Sequence, residues 1–297
     1  MSLTQLADLE NQVQKKWSPL FMPELKEMTV LPSLINRDYE GEITQGFDTV
    51  YVSQVITPTA TRKNTRDADA DTFESSKVQT RRIAIVADQT ITAAHEFSSL
   101  AELQTQLGSA EGKSEIRRTL LKSMELELNN YIYSLVASSS ASPGHVLSGV
   151  SDFNAAQLLI NRKLASQAKW ARDEWWCLLD PSFYNDLLSA QSLTSADSVG
   201  DGVSIVGGQF VSKRYGFNII EDNSEGMKYV SPTEATEDLG LVFHKDFMHL
   251  VMQKQPTFEL SSLHAQKKHG FLLSANMICG AAQGLQGDVK SIMNYNS

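Results

Sequence analysis

Residues 47–87 read FDTVYVSQVITPTATRKNTRDADADTFESSKVQTRRIAIVA. Phe47–Ile56 and Val78–Ala87 are dominated by β-branched and aromatic residues, the composition of strands. Between them lies a polar tract of about twenty residues, far longer than the roughly 2–5 of a hairpin loop. It sets Arg62, Lys63 and Arg66 against Asp67, Asp69, Asp71 and Glu74, with Phe73 as its one large apolar residue. If the runs pair, ten residues at ~3.3 Å each predict an arm about 30 Å long. A lone two-stranded arm is marginal in water. The tract is thus either disordered or functional, and an arm of this kind becomes reasonable if a neighbouring subunit supplies the missing surface.

On the N-terminal side, Leu3, Leu6, Leu9 and Val13 recur at helical spacing, and the pattern ends near Trp17. Ser18-Pro19, Pro23 and Pro32 then punctuate a stretch holding Leu20, Phe21, Leu25, Met28, Val30 and Leu31. Such a segment gains order by lying on something else. On the C-terminal side, Ser99 and Glu102 stand in a capping-box relation before Gly108, predicting a short helix. A long helix over Glu111–Ala137 follows, with Ile116, Leu120, Met124, Leu128, Ile132 and Val136 every fourth residue and Leu121, Tyr131 and Leu135 widening the stripe. Its length is about 40 Å at ~1.5 Å per residue. The stretch SSSASPGHVLSG after it reads as a loop at a domain boundary.

From Asp152 helices and strands alternate. A helix to about Ala168 leads into a strand at Trp175–Leu179, and Asp180-Pro181-Ser182 opens a helix through Leu188. Beyond the loop SLTSADSVGDG, strands are predicted at Gln209–Ser212, Phe217–Glu221 and Leu239–His244, then a helical turn at Lys245–Met252. Thr257–Leu263, Gly270–Gly280 and Val289–Met293 read as antiparallel strands that close the fold, with the long helix packed across them.

Composition narrows the function. With 297 residues and 41% hydrophobic content, the chain can bury one large core or two modest ones. A net charge of -9 argues against a surface devoted to nucleic acid. Cys177 and Cys279 lie in apolar runs without metal-type spacing, as buried reduced thiols do. The opening MSLTQLADLE lacks a signal pattern, and no run approaches the ~20 apolar residues of a bilayer span, so a soluble protein made in a cytoplasm is expected.

The enzyme motifs are incomplete. Gly112-Lys113-Ser114 has Leu107 where a phosphate loop needs glycine, and His95-Glu96 has Ser99 where a zinc helix needs histidine. His244/His249 and His264/His269 lie five apart, a spacing that diverges in a helix and alternates faces in a strand, and read as surface or strand-edge residues. Trp170, Trp175 and Trp176 among Arg162, Lys163, Lys169 and Arg172 suit a core beside a solvated helix face better than a single-stranded nucleic acid site. Arg81-Arg82 and Lys267-Lys268 are adjacent strand residues whose members point to opposite faces. No catalytic residue, metal or cofactor is predicted.

In the order of its parts the sequence resembles the major capsid proteins of tailed bacteriophages, which share the Hong-Kong-97-type fold. The resemblance is carried by Trp17–Leu20 with the arm after it, by LINRDYEGEITQGFDTVYV (Leu34–Val52) and by PTFELSSLHAQKKHGFLLSANMICGAA (Pro256–Ala282). It implies an α+β fold with an N-terminal arm (1–46), an extended β-hairpin loop (47–94), a peripheral domain with a long spine helix (95–145 and 253–297) and an axial domain (146–252). It further implies hexamers and pentamers of an icosahedral shell around packaged DNA held by weak non-specific contact, in a virion assembled in the bacterial host cytoplasm. A portal protein is an implied partner, a decoration protein an optional one, and no membrane is involved. Only about forty residues precede the first strand, which implies a separate scaffolding protein. Relatives that cross-link a lysine to an asparagine direct attention to Lys63 and Lys77. The expected inter-subunit contacts are Trp17, Leu20, Phe21 and Leu25 by apolar burial, and Arg62, Lys63, Arg66, Asp67, Asp69 and Asp71 by charge pairing that sets register. An encapsulin-like compartment shell of the same fold and an α+β ligand-binding or enzyme domain remain as alternatives.

Overall fold

The computed structural model describes residues 27, 29–43, 48–66, 72, 75, 77–99, 110–137, 145–190, 213–231, 238–284 and 291–296. The arm candidates Trp17, Leu20, Phe21 and Leu25, the acidic candidates Asp67, Asp69 and Asp71, and the expected helix before Gly108 lie outside the described residues.

The described chain runs through α1 (Leu31–Leu34), β1 (Thr49–Val55), β2 (Thr80–Val86), β3 (Gln89–Ser98), α2 (Ala110–Ala137), β4 (His145–Ser148), α3 (Ala155–Gln167), β5 (Trp175–Leu179) and α4 (Pro181–Ser189). It continues through β6 (Lys213–Arg214), β7 (Phe217–Glu221), β8 (Leu239–His244), β9 (Met248–Ser262), β10 (Gly270–Gln283) and β11 (Ser291–Tyr295). Three sheets result: β1-β2, β3-β10-β9 and β4-β11-β8-β5-β7-β6. The long helix matches its predicted stripe, with Ile116, Leu120, Met124, Leu128, Ile132 and Val136 all buried.

The chain divides into two compact units. Among described residues the first comprises Ala93–Lys122 and Phe258–Ala275. There the Phe97 and Phe271 rings pack at 5.4 Å, and Lys113 and Arg117 lie over Phe271 and Phe258. A 3₁₀ turn at Leu263–Gln266 ends on Lys267 in the left-handed region, φ 59°. That turn brings the His264 and His269 rings to 5.5 Å, which a straight helix or strand would not do. Lys267-Lys268 is correspondingly a turn, not a strand, and Lys268 pairs with Glu96 at 3.2 Å. At Gly270 a Cβ would overlap the carbonyl oxygen of Phe97.

The second unit comprises Glu27–Thr92, Ser123–Thr257 and Asn276–Ser297. Its six-stranded sheet is mixed: β5 runs parallel to β7 and antiparallel to β8, and β11 runs antiparallel to β8 and parallel to β4. Phe153, Leu158, Trp175, Cys177, Leu179, Phe183, Leu187, Phe217 and Val242 form its core. Two caps fix the flanking helices. Asn154 Oδ1 accepts from the N–H groups of Ala156 and Gln157, starting α3 slightly later than the predicted Asp152. Asp180 accepts from Phe183, Leu239 and Asp238, joining the start of α4 to β8. Asp222 accepts from the buried Tyr133 hydroxyl at 2.6 Å and from Ser224 N–H at 2.9 Å. Burial and the adjacent carboxylate push the Tyr133 phenol well up.

Four expectations are corrected. The helical turn at Lys245–Met252 is a 3₁₀ turn at Lys245–Phe247 only, and the chain then enters β9. The last strand does not join β9 and β10: Ser291–Tyr295 pairs with β8 and β4, where Ile292 enters the core beside Val242. Within the expected boundary loop, His145–Ser148 is the edge strand of that same sheet. Finally, His244 and His249 are buried, at 5% and 6% exposure.

Candidate functional site

β1 and β2 pair antiparallel from Thr49↔Val86 to Val55↔Thr80. Backbone bonds continue the pairing at both ends, Ala87 N–H to Asp48 O at 2.8 Å and Ile56 N–H to Gln79 O at 2.9 Å. At seven residues each, the strands span about 23 Å at ~3.3 Å per residue.

Strand alternation gives the hairpin two faces. One carries Val50, Val52, Ile83 and Ile85, which pack with Ile43, Val251, Tyr39, Ala87 and Ala282. At Gly280 of β10 a Cβ would overlap the Val86 carbonyl oxygen, so the end of β2 sits tight against that backbone. The opposite face carries Tyr51, Val55 and Val86, exposed by 59%, 65% and 39%. Ile56 and Val78 beyond the strands are exposed as well. Arg82, across from Ser53, lays its guanidinium over the Tyr51 ring at 4.8 Å. Arg81 is paired with Gln54 on the other face, as alternation requires.

Of the charged candidates, Arg62 and Arg66 are exposed, and the backbone N–H of Arg66 donates to Asn64. Lys63 donates to Thr72 Oγ1 at 2.5 Å. The residues the sequence reading missed are the apolar ones: Tyr51, Val55, Ile56, Val78 and Val86. Their signal was present, since Val50, Tyr51, Val52 and Val55 place apolar groups on both faces of a hairpin that can cover only one.

The enzyme motifs resolve into structure. Gly112-Lys113-Ser114 lies in the first turns of α2, and His95 is in a strand. Trp170 and Trp175 meet edge-on at 6.5 Å inside the core. Burial pushes the Cys177 thiol far up and Cys279 to about 11, so neither supplies a thiolate near neutral pH. Among the described residues no group of three His, Cys, Asp or Glu is placed to hold a metal ion, and no helix is long and apolar enough to cross a membrane.

No protein-family model matches the sequence, and neither does any curated protein. Solved structures do match. One of Mycobacterium phage Che8 gives a TM-score of 0.73 at 19% identity, covering 95% of this chain and 96% of that one. The capsid of cyanophage P-SCSP1u gives 0.69 at 15% identity over 97% and 94%. The chain has the Hong-Kong-97-type fold of phage capsids. The capsid of Ralstonia phage GP4 extends the likeness to 100% of this chain and 99% of that one, with a TM-score of 0.64 at 11% identity.

Proposed function

We propose that this chain is a major capsid protein whose copies assemble as hexamers and pentamers into an icosahedral head enclosing phage DNA. The observation that carries the reading is a near end-to-end match to phage capsid chains, combined with a hairpin that leaves one apolar face uncovered. In this reading the outer face of β1-β2 lies over an adjacent subunit. Tyr51, Val55 and Val86 supply apolar burial at ~25 cal/mol per Å2. Arg62, Lys63 and Arg66, with Asp67, Asp69 and Asp71, select register, because exposed ion pairs contribute only ~0–1 kcal/mol each. Trp17, Leu20, Phe21 and Leu25 of the arm supply further apolar contact.

The proposed division is an arm at 1–46, an extended loop at 47–94, a peripheral domain at 95–145 and 253–297, and an axial domain at 146–252, with β11 pairing into the axial sheet. A separate scaffolding protein, a portal and a decoration protein are the proposed partners, and the product is part of a virion built in the host cytoplasm. Deleting Thr61–Ser75 is expected to leave a folded chain that forms no particles in negative-stain microscopy, with scaffold supplied. Normal particles from that deletion would sink the loop's role. Particles of the intact protein that exclude nucleic acid during infection would turn the reading toward a compartment shell.

A further inference from the structure

The buried histidines sit where residues 27–43 are tied to the rest of the second unit. The Glu27 carboxylate accepts from Glu225 N–H, and Val30, Leu31 and Ile35 are buried. Asn36 then bridges β9: its N–H donates to Met248 O at 3.2 Å and its carbonyl accepts from Leu250 N–H at 2.9 Å. Its side-chain amide donates to Asp246 Oδ1 at 2.7 Å. Tyr39 stands edge-on to the His249 imidazole, ring centroids 5.2 Å apart. The same Tyr39 and the following Ile43 pack with Ile85, Val50, Val52 and Val251 at the root of the hairpin. One short strap thus touches His249 at one point and the hairpin at the next.

We propose that residues 29–43 form a strap whose hold on β9 depends on His249 remaining neutral, so that mild acidification frees the strap and loosens the hairpin root. The imidazole is closely packed: a Cβ at Gly284 would overlap Nε2, and Nδ1 is buried without a hydrogen-bond partner among the described residues. Among the described residues, the titratable groups facing it are Asp246 on the 3₁₀ turn before β9 and Asp38 and Tyr39 on the strap. Behind Asp246 stands His244 at the end of β8, whose Nδ1 accepts the Asp246 N–H at 3.1 Å. Of the strap's other charges, Arg37 and Glu40 pair with each other at 2.6 Å, and Glu42 is exposed.

Burial lowers the His249 pKa, and the Asp246 and Asp38 carboxylates oppose that shift without overcoming it. The sign follows. An imidazole released into water titrates near its ordinary ~6.5, above its value in the closed strap. Closure is therefore fully favoured above pH ~6.5 and weakens as pH falls from there toward the depressed value, because the open form binds the proton more readily. Strap, His249 and hairpin root all belong to one chain, so the isolated full chain is the material to test.

Hydrogen exchange followed by mass spectrometry, corrected for intrinsic chemistry, reads the effect directly at about pH 7.5 and about pH 5.5. Peptides from 29–43 and from β1 and β2 should lose protection by up to roughly tenfold, the ceiling set at about one pH unit below the open imidazole's ~6.5, while β5 does not change. His249→Phe keeps a ring against Tyr39 and removes the titration, and its strap should be equally protected at both values. Wild-type protection that ignores pH, or that falls by the same factor in His249→Phe, overturns the proposal. If His249→Phe does not fold, Asp38→Asn decides: with one opposing carboxylate removed, the loss should still begin near pH ~6.5 but be larger than in the wild type at about pH 5.5, and a loss no larger than the wild type's overturns the proposal.

Discussion

The six-stranded sheet and the β1-β2 hairpin draw on the same apolar, β-rich residues and end in opposite conditions. Every residue of β8 is buried, and so are four of the five in β5. In β1 and β2 Ile85 alone is buried. The sheet covers its strands with α3, α4 and the side chains around Phe153 and Phe183, 5.3 Å apart. The hairpin covers one face and leaves Tyr51 and Val55 in solvent. Composition selects pairing, whereas cover is decided by what else the chain brings near. A strand with apolar groups on two faces and cover for one is what the proposed function assigns to a contact with another subunit.

The contrast can be broken where it is strongest. Phe183→Ala removes a fully buried ring and is expected to cost about 3–5 kcal/mol, read as a lower denaturant midpoint of the isolated chain. Tyr133→Phe leaves Asp222 buried without its hydroxyl donor and should cost about 1–3 kcal/mol by the same measurement. On the hairpin, Arg82→Ala loses only the contact with Tyr51, about 0.5–1 kcal/mol at an exposed site. Tyr51→Ser with Val55→Ser loses that same contact and otherwise only exposed surface, so the isolated chain should change by no more than about 1 kcal/mol, while particle yield in an assembly reaction falls steeply. A large loss of monomer stability in that double variant would show that the outer face already has cover within one chain.

Legibility followed the same division. Trp175–Leu179, Phe217–Glu221 and Leu239–His244 coincide with β5, β7 and β8, because each apolar run is short and bounded by turn or cap residues such as Asp180 and Gly216. The stripe of α2 was equally plain. β9 was misread at its start because Met248, Leu250 and Val251 are buried alongside His249, which erases the alternation that marks a half-covered strand. β3, with Thr90, Ile91 and Thr92 in its first half, was passed over, and β4 is too short to carry a pattern. The hairpin itself is legible, but alternation does not say which of its two apolar faces finds cover, so the uncovered groups in the strands are not. The burial of His244 and His249 was invisible to spacing because a three-residue 3₁₀ turn intervenes between them and resets their directions.

β10 has a glycine near each end, and each lies under a carbonyl from another strand, Phe97 over Gly270 and Val86 over Gly280. Neither position tolerates even an alanine without displacing main chain, so mutational drift at these two codons is closed whatever the rest of the sequence does. Alanine placed at Gly280 is therefore a rational route to a temperature-sensitive form of the chain, one that folds when cool and fails to when warm.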